Sequence, residues 1–307
     1  MDGIICVYKP AGFTSFDVIA IMRRLLNTKK IGHSGTLDPM AEGVLVIFVG
    51  AATKAVDYCP DTDKEYRCAF KFGLTTDTQD ITGEVLTEAS NCFVPRPRVE
   101  KAIKRFIGEI EQIPPMYSAV KVGGQKLYKL ARKGVYIERE PRKITVHSIE
   151  IDEYGHNEGI LKVSCSKGTY IRTLIHDLGQ ELGFGAVMTA LQRSMSNGFT
   201  LEDCYSLDTL KHVYDRNPSH MRELLKPIDA LFKHYPKAVL DKEQTRLYSH
   251  GVVLNADLVK FDRIYDGLYS LFDCTNKMVA LAKIGRDHSV EIAQRFNYGN
   301  QQEPDSE

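Results

Sequence analysis

Asp38 sits in the run Gly32-His33-Ser34-Gly35-Thr36-Leu37-Asp38-Pro39-Met40-Ala41-Glu42-Gly43-Val44-Leu45, between a glycine-punctuated turn and the apolar residues 44–49. The glycines free the backbone on either side of the acid, and Pro39 fixes the torsion just after it. A carboxylate on a loop beside a rigid strand is presented to a substrate at a fixed angle. It can attack as a nucleophile, or take a proton while stabilising a cationic intermediate. Residue by residue, the same stretch also fits a Leu-Asp-Pro turn whose Asp bonds its own backbone.

The fourteen-residue string as a whole resembles the active-site motif of the bacterial tRNA pseudouridine synthases of the TruB family. That motif reads Gly-His-Thr/Ser-Gly-Thr/Ala-Leu-Asp-Pro with a Gly-Val/Met-Leu tail. Lys9-Pro10-Ala11-Gly12-Phe13-Thr14-Ser15 is similar to the family's opening motif, and the resemblance runs over residues 3–205. It implies Asp38 as the catalytic carboxylate and Arg172, in Gly168-Thr169-Tyr170-Ile171-Arg172, as its partner. It implies Tyr66 and Tyr170 as contacts to the target base, Leu191 as an apolar wall of the base pocket, and Lys54 as a lysine beside the cleft. His33 matches the residue that takes the place of the flipped base in the RNA. The basic residues 121–134, with Lys126 and Lys129, resemble the segment that closes over the RNA arm, and Tyr117 also falls in a family motif.

The implied reaction turns uridine into pseudouridine at position 55 of the TΨC loop, with the T arm of tRNA as partner. It breaks an N-glycosidic bond, rotates the uracil and forms a C–C bond. No redox step or energy source is needed, consistent with a sequence that carries neither a Gly-x-x-x-x-Gly-Lys motif nor a dinucleotide fingerprint. Asp38 would have to stay ionised in a dry pocket, and a bidentate Arg172 is expected to lower its pKa. The base must leave its stack, at a cost of a few kcal/mol, which stacking on Tyr66 and filling the vacancy with His33 would offset.

Composition narrows the alternatives. With 307 residues, 43% hydrophobic and 26% charged, the chain reads as one large globular domain plus a small one. No apolar run approaches the ~20 residues of a membrane helix, and no basic segment precedes the short apolar N-terminus, so a cytoplasmic protein is expected. Seven scattered cysteines without a Cys-x-x-Cys pair, and nine histidines without paired spacing, predict reduced thiols and no metal. No cofactor is expected, and a monomer is. Net charge is zero, yet residues 96–143 hold thirteen Lys/Arg against five Asp/Glu, a local net of +8. A basic block in a neutral chain suits a polyanion-binding face, although a solvated basic surface has the same composition. If residues 125–133 are helical, Lys126, Lys129 and Lys133 line one face and meet successive phosphates.

The order of elements predicts an α+β fold. Strands are expected at residues 4–8, 44–49, 66–72, 144–151 and 160–166. Helices are expected after Ser15 as N-cap, around residues 99–107, and from Ile171 to a stop at Gly183. Without strict alternation, a largely antiparallel sheet is favoured over a doubly wound one. The family resemblance implies the same: a pseudouridine synthase fold, with a central mixed sheet flanked by helices, over residues 1–235. In residues 236–299 a helix at 242–248 and short strands at 251–254, 267–272 and 278–284 suggest a small β domain. The resemblance implies a PUA-like RNA-binding module there. The polar residues 300–307 are expected to be a disordered tail. Two further functions fit parts of this pattern: a non-catalytic RNA-binding protein or tRNA-folding chaperone, and a hydrolase pairing Asp38 with a second acid not visible in the motifs.

Overall fold

The strands Gly3–Lys9 and Glu42–Val49 are apolar along both faces, and each is buried at all but one position. Such strands belong at the centre of a sheet covered on both sides. In a computed structural model that describes residues 1–60, 63–89 and 92–296, they pair antiparallel from Gly3 opposite Val49 to Lys9 opposite Gly43. They lie in a ten-stranded mixed sheet. Its main path runs Cys204–Tyr205, Gly3–Lys9, Glu42–Val49, Ala186–Ser196, Lys64–Phe72, Glu158–Cys165, Arg142–Tyr154 and Gly108–Gln112. Two of its pairings are parallel, Gly3–Lys9 with Cys204–Tyr205 and Glu42–Val49 with Ala186–Ser196, and the rest are antiparallel.

The second parallel pairing is a narrow seam. Only Gln192 opposite Glu42 and Arg193 opposite Gly43 join the two halves of the sheet there. Gly43 has φ +105, and a Cβ on it would sit 2.2 Å from the Arg193 carbonyl oxygen. Glycine is therefore required for the halves to meet. The loop that carries Asp38 enters the sheet immediately before this seam.

Helix Ser15–Leu25 covers one face of the first half, packing Val18, Ile19, Met22 and Leu25 on Ile5, Val7, Leu45 and Ile47. Helix Ile171–Leu182 covers the second half, with Leu174, Ile175 and Leu178 in one core with Cys68, Phe70, Val146 and Val163. It ends, as its pattern predicts, on Gly183 in the left-handed conformation (φ +81). From Lys237 onward a separate five-stranded sheet forms, in the order Lys260–Phe261, Lys237–Val239, Tyr269–Phe272, Met278–Ile284 and Val290–Arg295. Its Phe272, Met278 and Leu281 pack against Ile4, Phe48 and Phe232 of the larger part. No helix among the described residues is long and apolar enough to cross a membrane. Among them, no group of three or more His, Cys, Asp or Glu is placed to hold a metal ion.

Several elements differ from the sequence expectation for identifiable reasons. Thr14, not Ser15, caps the first helix: its side chain accepts from Asp17 N–H, and the Asp17 carboxylate accepts from Thr14 N–H at 2.8 Å. The next helix is Arg96–Ile103, continued by the 3-10 turn Lys104–Phe106. Gly108–Gln112 then forms a strand that its charged, half-exposed pattern concealed. Residues 251–254 are the exit from helix Lys242–Ser249 rather than a strand, with Gly251 at φ +81 and Val252 N–H donating back to the Leu247 carbonyl. The expected tail, 300–307, and the last three residues of the expected small domain lie outside the described residues.

Candidate active site

Three attachments fix the Asp38 loop. The Ser15 hydroxyl, freed from capping, accepts from Leu37 N–H at 2.9 Å and donates to the Leu37 carbonyl at 3.2 Å. The fully buried Lys9 donates its ammonium to the carbonyls of Pro10 (3.0 Å), Phe13 and Pro39 (3.3 Å). Gly12 N–H adds a bond to the Pro39 carbonyl at 2.8 Å. Burial pushes Lys9 down to about 8, against the pull of the Asp38 charge. The Leu37 side chain locks into the core formed with Ala41, Tyr66 and Leu191. The acid is thus held from both sides by groups that cannot turn away.

Arg172, the second residue of helix Ile171–Leu182, donates from Nε to Asp38 Oδ2 at 2.9 Å. The contact is single, not bidentate. Nη1 is committed to the Thr78 carbonyl at 2.9 Å and Nη2 to the Tyr117 carbonyl at 2.8 Å. This corrects the expected electrostatics: the Asp38 carboxyl is raised above the usual aspartate value. Burial is the larger cause, Arg172 opposes it, and the Asp80 charge adds to it. The Asp38 side chain is still 36% exposed, so the acid is partly desolvated yet reachable, and its raised basicity makes it a stronger base or nucleophile once ionised.

Asp80 is the residue that sequence reasoning missed. It is buried, with a carboxylate oxygen 3.7 Å from Arg172 Nη1. Its carboxylate accepts from the Thr78 hydroxyl at 2.9 Å and from Thr82 N–H at 3.0 Å, and also from the Thr82 hydroxyl. One guanidinium therefore spans two aspartates. Asp80 is the second acid that the hydrolase reading lacked; all three of those donors meet Oδ1, and Oδ2 faces the Arg172 guanidinium, an arrangement that suits a fixed counter-charge to it. In the sequence it is only one of several polar residues in a loop.

Tyr66 and Leu191, on adjacent antiparallel strands, share one buried core with Leu37, the residue before Asp38, and the Asp38 charge acts on the Tyr66 phenol. Burial raises the Tyr66 phenol, and the Arg193 guanidinium beside it acts the other way. Tyr170 is the helix cap just ahead of Arg172. Its backbone is pinned by Gln112, which accepts from Tyr170 N–H at 2.8 Å and donates to its carbonyl at 3.0 Å. Burial also raises the Tyr170 hydroxyl, and Asp38 is among the charges acting on it.

The basic segment reaches this region by another route. The His33 ring meets Phe16 edge-on, with centroids 6.2 Å apart, and the Lys126 ammonium lies 6.0 Å from the Phe16 ring. Phe16 is 63% exposed, a large apolar ring left open between His33 and a lysine. Lys126 belongs to the hairpin formed by Lys121–Val122 and Gln125–Lys126, and Lys129 is exposed on the short helix Leu127–Ala131. The single helical face expected for Lys126, Lys129 and Lys133 is therefore not formed, because the helix has only five residues. Lys54 is exposed on the 3-10 segment Gly50–Tyr58, beyond the far end of strand Glu42–Val49.

An anchored, partly exposed aspartate joined to a buried arginine, beside buried tyrosine and leucine, is the arrangement of an enzyme site. Comparison with known proteins agrees. Residues 23–171 match the model of the TruB family pseudouridylate synthase N-terminal domain, and residues 172–233 match that of the tRNA pseudouridylate synthase B C-terminal domain. The chain is 44% identical over 252 residues to tRNA pseudouridine synthase B of Clostridium tetani, covering 82% of this chain and 85% of that one. With the protein of the same name from Pseudomonas aeruginosa it shares 40% over 292 residues, 94% of each chain. It also superposes on a chain of an H/ACA ribonucleoprotein bound to a substrate RNA containing 2'-deoxyuridine. That match has TM-score 0.72 and 25% identity, over 96% of this chain and 85% of that one. A chain of a Cbf5–Nop10–Gar1 complex aligns at TM-score 0.71 and 28% identity, over 96% and 85%. The chain belongs to the TruB family of pseudouridylate synthases, and its fold is the pseudouridine synthase fold with a small PUA-like C-terminal sheet domain.

Proposed function

We propose that this protein isomerises the uridine at position 55 in the TΨC loop of tRNA to pseudouridine, drawing the base out of the loop and using Asp38 on it. The observation that carries the reading is the Asp38–Arg172 contact of 2.9 Å, beside the buried core that holds Leu37, Tyr66 and Leu191. In the reaction the N1–C1′ bond breaks, the uracil turns, C5 bonds to C1′, the C5 proton leaves and N1 ends protonated. Asp38 serves as the nucleophile, or as the base that draws a sugar proton, and Arg172 holds its oxygen in place. Tyr66 and Tyr170 contact the uracil, and Leu191 excludes water from it. His33, beside the exposed Phe16, fills the gap the base leaves. Lys126, Lys129 and Lys54 contact phosphates of the T arm, with Lys54 on an outlying part of the surface.

The small C-terminal sheet domain, from about residue 236, extends the RNA-binding surface, and the protein acts as a monomer in the cytoplasm. Support for an RNA substrate comes from the names of the relatives above and from the substrate RNA in the ribonucleoprotein neighbour. The test is an unmodified tRNA transcript incubated with the purified chain, then treated with a pseudouridine-specific carbodiimide and read by primer extension. One new stop at the T-loop uridine is expected. Tight binding with no stop anywhere, on a folded protein, would replace this reading with the RNA chaperone.

A further inference from the structure

Arg193 is the largest fully buried side chain among the described residues. Its Nε donates to the Val44 carbonyl at 2.8 Å and its Nη2 to the Gly35 carbonyl at 3.1 Å, so it ties the motif loop to the seam. Its Nη1 is buried and meets no acceptor in hydrogen-bond geometry, with the Tyr66 hydroxyl against the same guanidinium. A buried guanidinium N–H without an acceptor is disfavoured, and its persistence calls for an explanation.

Lys64 supplies one. A Cβ on Gly35 (φ +68) would lie 3.2 Å from Arg193 Nη1, 3.1 Å from Lys64 Cε and 3.5 Å from Lys64 Nζ. Two cations thus converge on a point that glycine alone leaves open. Asp63, the carboxylate acting on Lys64, is paired with His147 at 2.9 Å. His33 Nδ1, on the strand Ile31–Ser34 that ends just before Gly35, is also buried without a partner. Burial first, and the Arg193 charge next, hold both Lys64 and His33 below their usual values. A lysine and a guanidinium N–H without an acceptor, facing one open point, make a site that an anion completes.

We propose that Lys64 and Arg193, meeting over Gly35, seat the backbone phosphodiester that flanks the flipped uridine. The inference rests on the tRNA reading above, which puts His33 in the space the base vacates and so brings the adjoining phosphate to Gly35. The guanidinium is fixed by its two carbonyls and presents Nη1 in a set direction. The Lys64 stem is flexible and swings to admit the anion. Holding that phosphate would keep the nucleotide extruded while its base turns over Asp38.

The test uses the full chain and three T-arm stem-loop RNAs. One is all-phosphodiester; the others carry a single uncharged methylphosphonate on the 5′ or the 3′ side of the target uridine. A lysine that neutralises one phosphate of a single strand contributes roughly 0.7 to the salt exponent, or about fivefold in affinity at 0.1 M salt. Lys64→Met should lose that factor, and that part of the salt slope, on the all-phosphate RNA. It should lose nothing on one of the two methylphosphonate RNAs, and Lys64→Arg should recover most of the loss. Equal losses on all three RNAs, or no loss on any, would overturn the seat while leaving the activity of the wild-type protein as a separate fact. Failure of the wild type to form pseudouridine in the all-phosphate arm would overturn the tRNA reading, and the seat with it.

Discussion

Burial raises the Asp38 carboxyl above the value of a solvent-exposed aspartate, and this has consequences for pH. Both routes open to it, nucleophile and base, use the carboxylate. Its folded pKa lies above the ordinary 3.8, with burial outweighing Arg172. Single-turnover rates should therefore fall as pH drops through that raised value, ahead of the titration of a solvent-exposed aspartate. A rate unchanged down to pH 4 would contradict the burial of this acid. For stability the sign is opposite: the folded state holds the proton more tightly, so this group favours folding at low pH and loses that contribution as pH rises through its folded value. Ser15 offers a second residue-level prediction. Ser15→Ala leaves both the N–H and the carbonyl of Leu37 without partners, which should cost about 1–3 kcal/mol. It should also lower turnover by loosening the loop, measured as urea midpoint and single-turnover rate. Intact values for both would show that Lys9 and Gly12 hold the loop without it. The motif string made Asp38 and His33 legible in the sequence because their neighbours are in the string, while Tyr66 was reached only through the family resemblance. Asp80 was not legible, because what defines it is Arg172, whose guanidinium reaches the Asp80 turn across 94 positions at Thr78. The sign of the Asp38 shift escaped for a related reason: Arg172 also serves two carbonyls, and a sequence does not show how many acceptors share a guanidinium.

At the scale of elements, the site is the place where two halves of a sheet barely join. The apolar strands, the alternating strand Lys64–Phe72 and the helix ending at Gly183 were all readable, because their periodicity reports a single dominant packing. Gly108–Gln112 was not, since an edge strand with exposed charges carries no such signal. The parallel seam was equally hidden, since its strands are distant in sequence and meet at two residue pairs. The basic wing was recognised by charge but not by shape. It folds around its own small core of Met116, Leu127 and Ala131, and Arg172 reaches it through the Tyr117 carbonyl. Reversing charge at Lys126 and Lys129 together should weaken T-arm binding and reduce the salt slope by about 1.5, at roughly 0.7 per phosphate. The chemical rate at saturating RNA should stay within a few-fold of wild type. An unchanged slope would remove the wing from the RNA interface.

The two sheets of the molecule share a core, since Phe272, Met278 and Leu281 pack with Ile4 and Phe48 from the centre of the large sheet. They should unfold together. Leu281→Ala at this fully buried position should cost about 2–5 kcal/mol and shift one cooperative urea transition. A separate early transition that leaves the large sheet intact would show the small domain to be an independent unit. That a small β domain follows the large one was foreseeable from strand spacing, but the apolar surface that joins them was not, because only the folded sheets bring those residues together. The whole assembly exists, on this account, to bring one carboxylate to one uridine, and that is directly measurable. Isomerisation must expel the hydrogen on C5, so a T-arm RNA with tritium at C5 of its uridines reports it as released label. Asp38→Asn should bind this RNA within a few-fold of wild type and release label at least about 10³-fold more slowly. Release at a rate near that of wild type would contradict the assignment of Asp38 as the catalytic group.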